Sequence, residues 1–233
     1  MKRIDFILRC LKVLAGLTVF AYGVHLTIAA DIGVEPWDCF GQGIAAVTPL
    51  NYGFAMTLTS IVVLMLDILL KEPLGIGMII DALYTGNAAQ FFNDHCTFTN
   101  TLIPEILHLN GIAAVAAGIL MMTAGMFFMS FGQVVYMRAG LTCGPRDTLL
   151  VGLGKKVPSV PIGLVENAIF LAVFVIGWIL GGSAGPGTVL GTLGTGIVMD
   201  QVFRLMKFEP RKVKHQNLAE SLKLFHRQTE IQS

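Results

Sequence analysis

The sequence predicts an all-α polytopic membrane protein: six transmembrane helices in two inverted three-helix repeats, with short Pro-initiated helices after spans 1 and 4. Three observations predict it. Apolar stretches of spanning length occur six times, every lysine and arginine falls on one side of the topology those stretches define, and residues 22–45 align in register with residues 131–154.

The first span covers about residues 10–30, behind the basic residues Lys2, Arg3, Arg9 and Lys12. Its apolar run is too long for a signal peptide, and it contains part of the aligned segment, so it reads as a retained span. Further spans follow at about 52–70, 75–92, 110–137, 161–181 and 187–206, each near the ~20 residues that cross a bilayer as a helix. The third is the weakest, since it carries Asp81 and Asn87 and starts from Gly75 and Gly77. The sixth, its counterpart in the second half, supports it. The chain is therefore read as one transmembrane domain, 1–206, with repeat 1 at about 10–92 and repeat 2 at about 110–206. A basic amphipathic tail occupies 207–233, where Leu218, Leu222 and Phe225 recur at helical spacing.

Composition agrees. The 233 residues are 54% hydrophobic and 13% charged, with a mean hydropathy of +0.71, whereas soluble domains carry about 25% charged residues. Lysine and arginine resist translocation in short loops. With the N-terminus inside, all sixteen lie on the cytoplasmic face or at cytoplasmic helix ends, and the outer loops carry Asp31, Glu35, Asp38, Asp94 and Glu105 instead. Both termini are then cytoplasmic in a multi-pass membrane protein. No basic tract suits nucleic acid. Cys10, Cys39, Cys96 and Cys143 form no CxxC, so they read as structural thiols.

The alignment of the two segments runs at an offset of 109 (145 minus 36) and pairs Gly23 with Gly132, Pro36 with Pro145, Asp38 with Asp147 and Gly43 with Gly152. After one inserted residue the offset is 110 (185 minus 75), pairing Gly75 with Gly185, Gly77 with Gly187, Leu83 with Leu193, Thr85 with Thr195 and Gly86 with Gly196. Each copy holds three spans, an odd number, so the copies face opposite ways. Inverted repeats with Gly/Pro-interrupted segments at matching places characterise many secondary transporters.

Pro36-Trp37-Asp38 and Pro145-Arg146-Asp147 each begin a short helix, about 37–47 and 146–155. Proline suits a first helical turn and aspartate complements its positive end. Two readings stay open: interfacial helices with Trp37 as an aromatic anchor, or re-entrant half-helices meeting near the midplane. Trp37, Asp38, Arg146 and Asp147 are the candidate substrate-binding or gating residues, and Pro36, Gly75, Gly77, Pro145, Gly185 and Gly187 the candidate helix breaks. The stretch Gly187, Gly191, Thr192, Gly196 has small-residue packing spacing. Asp81 and Glu166 fall inside spans, where a carboxylate costs a few kcal/mol unless paired or protonated. They are candidate proton-coupling groups, with Arg138 and Arg146 as partners and Asn167 beside Glu166. Asp67 and Asp200 read as interfacial, His25 as a satisfied buried histidine, and the outer acids as solvated loop charges or a cation-drawing vestibule.

The strings GVEPWDCF at 33–40, GPRDTLLVGLGKK at 144–156, Glu166 and GWILGGSAGPGT at 177–188 resemble the YczE/YyaS/YitT family of bacterial integral membrane proteins, over about residues 15–206. The resemblance implies a multi-span bacterial inner-membrane protein whose biochemical activity is unassigned.

The organisation points to a small secondary transporter of an unidentified small molecule or ion. The alternative is a non-transporting scaffold that recruits an enzyme through Arg138–Lys156 and the basic tail. The expected partners are the lipid bilayer, that substrate and a second copy of the chain, with no nucleic acid. No metal or cofactor motif is present: the glycine-rich stretches lack the strand–turn–helix context of a dinucleotide site, and 152–156 fails Walker spacing. No HExxH, GxSxG or nucleophile–base pair suggests an enzyme.

Overall fold

The computed structural model describes residues 3–96, 112–141, 144–160 and 162–209. The tail helix expected over 211–233, Cys143 and Glu105 lie outside the described residues. Among the described residues there are eight helices and no strand: α1 (Arg3–Ala29), α2 (Pro36–Val47), α3 (Tyr52–Leu69), α4 (Ile76–His95), α5 (Ile112–Met137), α6 (Pro145–Lys156), α7 (Ile162–Ile179) and α8 (Pro186–Leu205).

The two halves run in the same order of lengths, 27, 12, 18 and 20 residues and then 26, 12, 18 and 20. Local chemistry sets the boundaries. Pro36 and Pro145 open α2 and α6, where the missing N–H leaves no intrahelical bond unmade. The Asn51 side chain caps α3 by accepting from the Phe54 N–H at 2.9 Å. Lys155 and Lys156 close α6 on its negative end. Left-handed residues follow the helices in matched places: Asp31 (φ 50) after α1 and Gly140 (φ 69) after α5, Lys71 (φ 62) after α3 and Gly181 (φ 100) after α7.

The axis of the molecule is the α1–α5 pair, the most extensive helix contact. Gly16 lies against Gly132 and Gly23 against Gly125, so the two helices run antiparallel. A Cβ at Gly23 would come within 2.6 Å of the α5 backbone, and one at Gly132 equally close to α1. Around this pair α4 packs on α1 and α8 on α5; α2 packs on α3 and α7, and α6 on α7 and α3.

One contact breaks the pattern. α3 and α4 pack closely, and a Cβ at Gly53 would come within 3.0 Å of the Gly86 carbonyl oxygen. The matched glycines of α7 and α8, Gly163 and Gly196, have nothing within 4 Å among the described residues. Those two helices hardly touch.

Two helices, α3 and α5, are long and apolar enough to cross a membrane by length and composition, and Gly163–Ile179 is a shorter apolar helix. α4 and α8 fall short because each carries polar residues, Asp81, Thr85 and Asn87 in the one and Thr192, Thr195 and Asp200 in the other. Burial also departs from the habit of soluble domains. Leu58, Val62, Leu120, Leu171, Ile179, Val189 and Leu193 stand exposed, while His25, Thr27, Asp38, Thr59, Asp67 and Ser130 are buried.

Several expectations are corrected. Gly75 and Gly185 are the residues capping α4 and α8, but Gly77 and Gly187 lie inside the first turns of those helices and break nothing. Gly187 is there for packing, since a Cβ would meet the Gly33 carbonyl oxygen at 2.7 Å. Asp67 is fully buried, not interfacial, and both its carboxylate oxygens lack a hydrogen bond among the described residues; it faces into the protein because α6 packs across α3. Trp37 is 8% exposed and anchors nothing at a surface, because α2 lies between α3 and α7. Arg138 donates to the Met206 carbonyl oxygen at 2.5 Å and stacks on Phe208, away from Asp81 and Glu166. The reading of His25 as a satisfied buried histidine stands, since it is buried and bonded to Asn93 at 2.6 Å.

Candidate functional site

A cavity of about 350 Å³ lies at the centre of the protein, with walls from all eight helices. It falls in the lower range of pockets that enclose small ligands, about 300–1,000 Å³. The N-terminal turns of α2 and α6 both reach it, so Pro36, Trp37, Asp38, Pro145, Arg146 and Asp147 all line the wall, together with Asp81 and Glu166. The candidate residues from the sequence thus meet in one place. Gly75, Gly77, Gly185 and Gly187 do not reach it.

Trp37 and Arg146 occupy matched positions, and they touch: the guanidinium carbon of Arg146 lies 4.8 Å from the centroid of the Trp37 ring. Desolvated contacts of this kind are worth about 2 kcal/mol. Arg146 makes no direct ion pair among the described residues, yet its field reaches Glu35, Asp38, Asp81 and Asp147.

Asp38 is 3% exposed and accepts from the Tyr52 hydroxyl at 2.9 Å through one oxygen. Its other oxygen accepts no hydrogen bond among the described residues. Asp147, its match, accepts from the Gly144 backbone N–H and repels Glu166 nearby. Each aspartate is the third residue of its helix, so each partly neutralises the positive helix end that points at the cavity.

Sequence reading missed a second carboxylate pair. Glu35, a residue that looks like a loop acid, turns inward, and Thr195 donates to it at 2.6 Å. In the other half Thr85, the match of Thr195, donates to Asp81. The two acids come from different elements, Glu35 from the turn before α2 and Asp81 from α4. Where one half has an acid, the other half has glycine. Gly191 stands opposite Glu35, with room for no Cβ beyond 2.9 Å from the Glu35 side chain, and Gly144 stands opposite Asp81 at 2.8 Å. The alignment pairs Glu35 with Gly144 and Asp81 with Gly191 in sequence; that each acid faces the glycine of the other pair was not visible in it. Asn167 is exposed, and no hydrogen bond joins the Glu166–Asn167 pair to α6 among the described residues.

The family of unknown function DUF6198 matches residues 7–204. An uncharacterised membrane protein of Bacillus subtilis, YczE, is 27% identical over 197 residues, covering 84% of this chain and 85% of the relative. An uncharacterised protein of Haemophilus influenzae is 29% identical over 190 residues, covering 80% and 79%. The uncharacterised B. subtilis protein YyaS is 23% identical over 180 residues, covering 75% and 82%. The resemblance to YczE and YyaS read from the strings around Pro36 and Pro145 is met. No solved structure matches.

Proposed function

Because this chain belongs to the DUF6198 family, membrane proteins to which no activity is attached, we propose a function from the cavity: a small secondary carrier that alternates access to a central site. In this reading six helices span the cytoplasmic membrane as two inverted repeats, α2 and α6 are re-entrant half-helices, and both termini are cytoplasmic. Equal helix lengths, left-handed residues at matched places and the antiparallel α1–α5 pair support the inversion. The exposed apolar and buried polar side chains support the bilayer.

The observation that carries the carrier reading is the unequal closure of the two halves. α3 and α4 are sealed at Gly53 and Gly86, whereas α7 and α8 stand apart at Gly163 and Gly196, and Gly196 lines the cavity. With the N-terminus inside, the gap opens toward the cytoplasm and the seal lies outside. Inverted halves that exchange these two conformations would face the cavity outward, by rocking of one repeat against the other around a fixed site. A rigid scaffold has no use for a closure site left open in one half. Two of the basic groups assigned to a scaffold are also engaged internally, Lys155 with Glu72 at 2.6 Å and Arg138 with Met206.

The test uses spin labels on exposed, matched positions: Phe54 with Leu83, and Leu164 with Leu193, with the four native cysteines replaced by alanine. Distances are read in liposomes by electron–electron double resonance. The carrier reading expects a second, shorter α7–α8 distance whose population rises as a longer α3–α4 distance rises. One unchanging distance at each pair would sink it.

A further inference from the structure

We propose that the central cavity binds an organic cation with an apolar body, such as a protonated or quaternary amine. The inference rests on reading the cavity as a carrier's substrate site.

Charge balance comes first. Glu35, Asp38, Asp81, Asp147 and Glu166 face the cavity, and Arg146 is the basic side chain of its wall. A carboxylate offers about four acceptor sites. The hydroxyls of Tyr52, Thr195 and Thr85 and the Gly144 N–H supply one donor each to four of these acids. Acceptor capacity is left over, and at Asp38 it is left over in a side chain that is 3% exposed, with one oxygen accepting no hydrogen bond among the described residues.

An anionic substrate is the expectation that two helix N-termini would otherwise raise, as they do in other carriers. Here each N-terminus already carries its own aspartate at the third position, and Arg146 is held over Trp37. An anion would find one guanidinium in the wall, Arg146, set among five carboxylates.

The rest of the wall selects among cations. Trp37, Tyr52, Tyr136 and Phe170 present rings, and Met56 and Met129 present soft apolar groups. Aromatic faces attract cations, quaternary ammonium groups above all. Among the described residues no three carboxylates converge on a metal-sized point. A hydrated metal ion would gain little from the rings, whereas an ammonium carried on an apolar body would use both rings and acids.

The experiment measures binding to the purified full chain in detergent by isothermal calorimetry, with three probes: benzyltrimethylammonium, benzenesulfonate and magnesium. The expected result is saturable, one-to-one binding of benzyltrimethylammonium alone. Glu35→Gln and Asp38→Asn should each weaken it about tenfold or more, and Asp200→Asn, whose exposed carboxylate pairs with Arg204, should leave it unchanged. Arg146→Gln should tighten it, a gain that loss of fold cannot imitate and that keeps the idea testable where Asp38→Asn fails to fold. Binding of benzenesulfonate or magnesium in preference, or insensitivity to both acid substitutions, overturns the inference. Binding without any flux in liposomes would remove the carrier and leave the cation site; flux of a neutral or anionic solute without cation binding would do the reverse.

Discussion

Arg146 lies over the indole of Trp37 at 4.8 Å, and the two residues hold the same place in the two halves of the chain, second in a Pro-initiated helix. The contact therefore fastens α2 to α6 across the middle of the protein. Trp37→Ala should cost about 3–5 kcal/mol through lost packing and ring contact, and Trp37→Phe distinctly less. A double-substitution cycle with Arg146→Met, read by thermal unfolding in detergent, should return a coupling of about 1–2 kcal/mol. A coupling near zero would mean the stacking is incidental.

Tyr52 gives Asp38 its hydroxyl at 2.9 Å inside the protein. Tyr52→Phe keeps the ring and deletes the donor, leaving a buried acid with both oxygens unpartnered. The expected loss is about 1–3 kcal/mol. Tyr52→Phe combined with Asp38→Asn should lose less than the sum of the two single changes.

The α1–α5 seam predicts a sharp difference between glycines. Gly23→Ala and Gly132→Ala insert a methyl group against backbone and should each destabilise by about 1–3 kcal/mol. Gly163→Ala and Gly196→Ala meet nothing within 4 Å and should leave the melting temperature unchanged. If the halves exchange conformations, those silent substitutions should nonetheless depopulate the short α7–α8 distance.

Lys71 sits at φ 62, where a side chain costs about 1–2 kcal/mol and glycine costs little. Its match, Gly181, already is glycine. Lys71→Gly should raise stability by about 1 kcal/mol, measured as a shift in the unfolding midpoint.

Asp67 buries a carboxylate whose oxygens both lack a partner. Asp67→Leu removes that group at similar volume, and a gain of about 1–3 kcal/mol is expected. A loss instead would mean that the buried acid supports the fold.

The helical architecture was legible because its signals are local. Proline at 36 and 145 and aspartate two residues later write a helix start into the sequence wherever it folds. Gly23 and Gly132, aligned before any geometry, proved to be members of one seam, each set against a glycine of the other helix. What could not be read was direction. Asp67 and Glu35 carry the same charge as the solvated acids near them, and only the crossing of α6 over α3, and the inward turn before α2, put the one under a helix and the other in a cavity wall. Gly77 was misread because glycine marks both breaks and close contacts, and spacing alone does not separate them. The asymmetry between Gly53–Gly86 and Gly163–Gly196 has no signature in composition, since the residues are identical and only the distance between their helices differs.

The exchange of acid for glycine between Glu35–Gly191 and Gly144–Asp81 bears on how such a chain could arise. Each corner joins the position before a Pro-initiated helix in one half to a position on α4 or α8 of the other, so two identical halves could also seat one acid against one glycine in both corners. The chain does something else: both acids, Glu35 and Asp81, belong to the first half, and both glycines, Gly144 and Gly191, to the second. One half therefore supplies the carboxylates of both corners and the other the room for them, a division of labour that two copies of one short chain could not make.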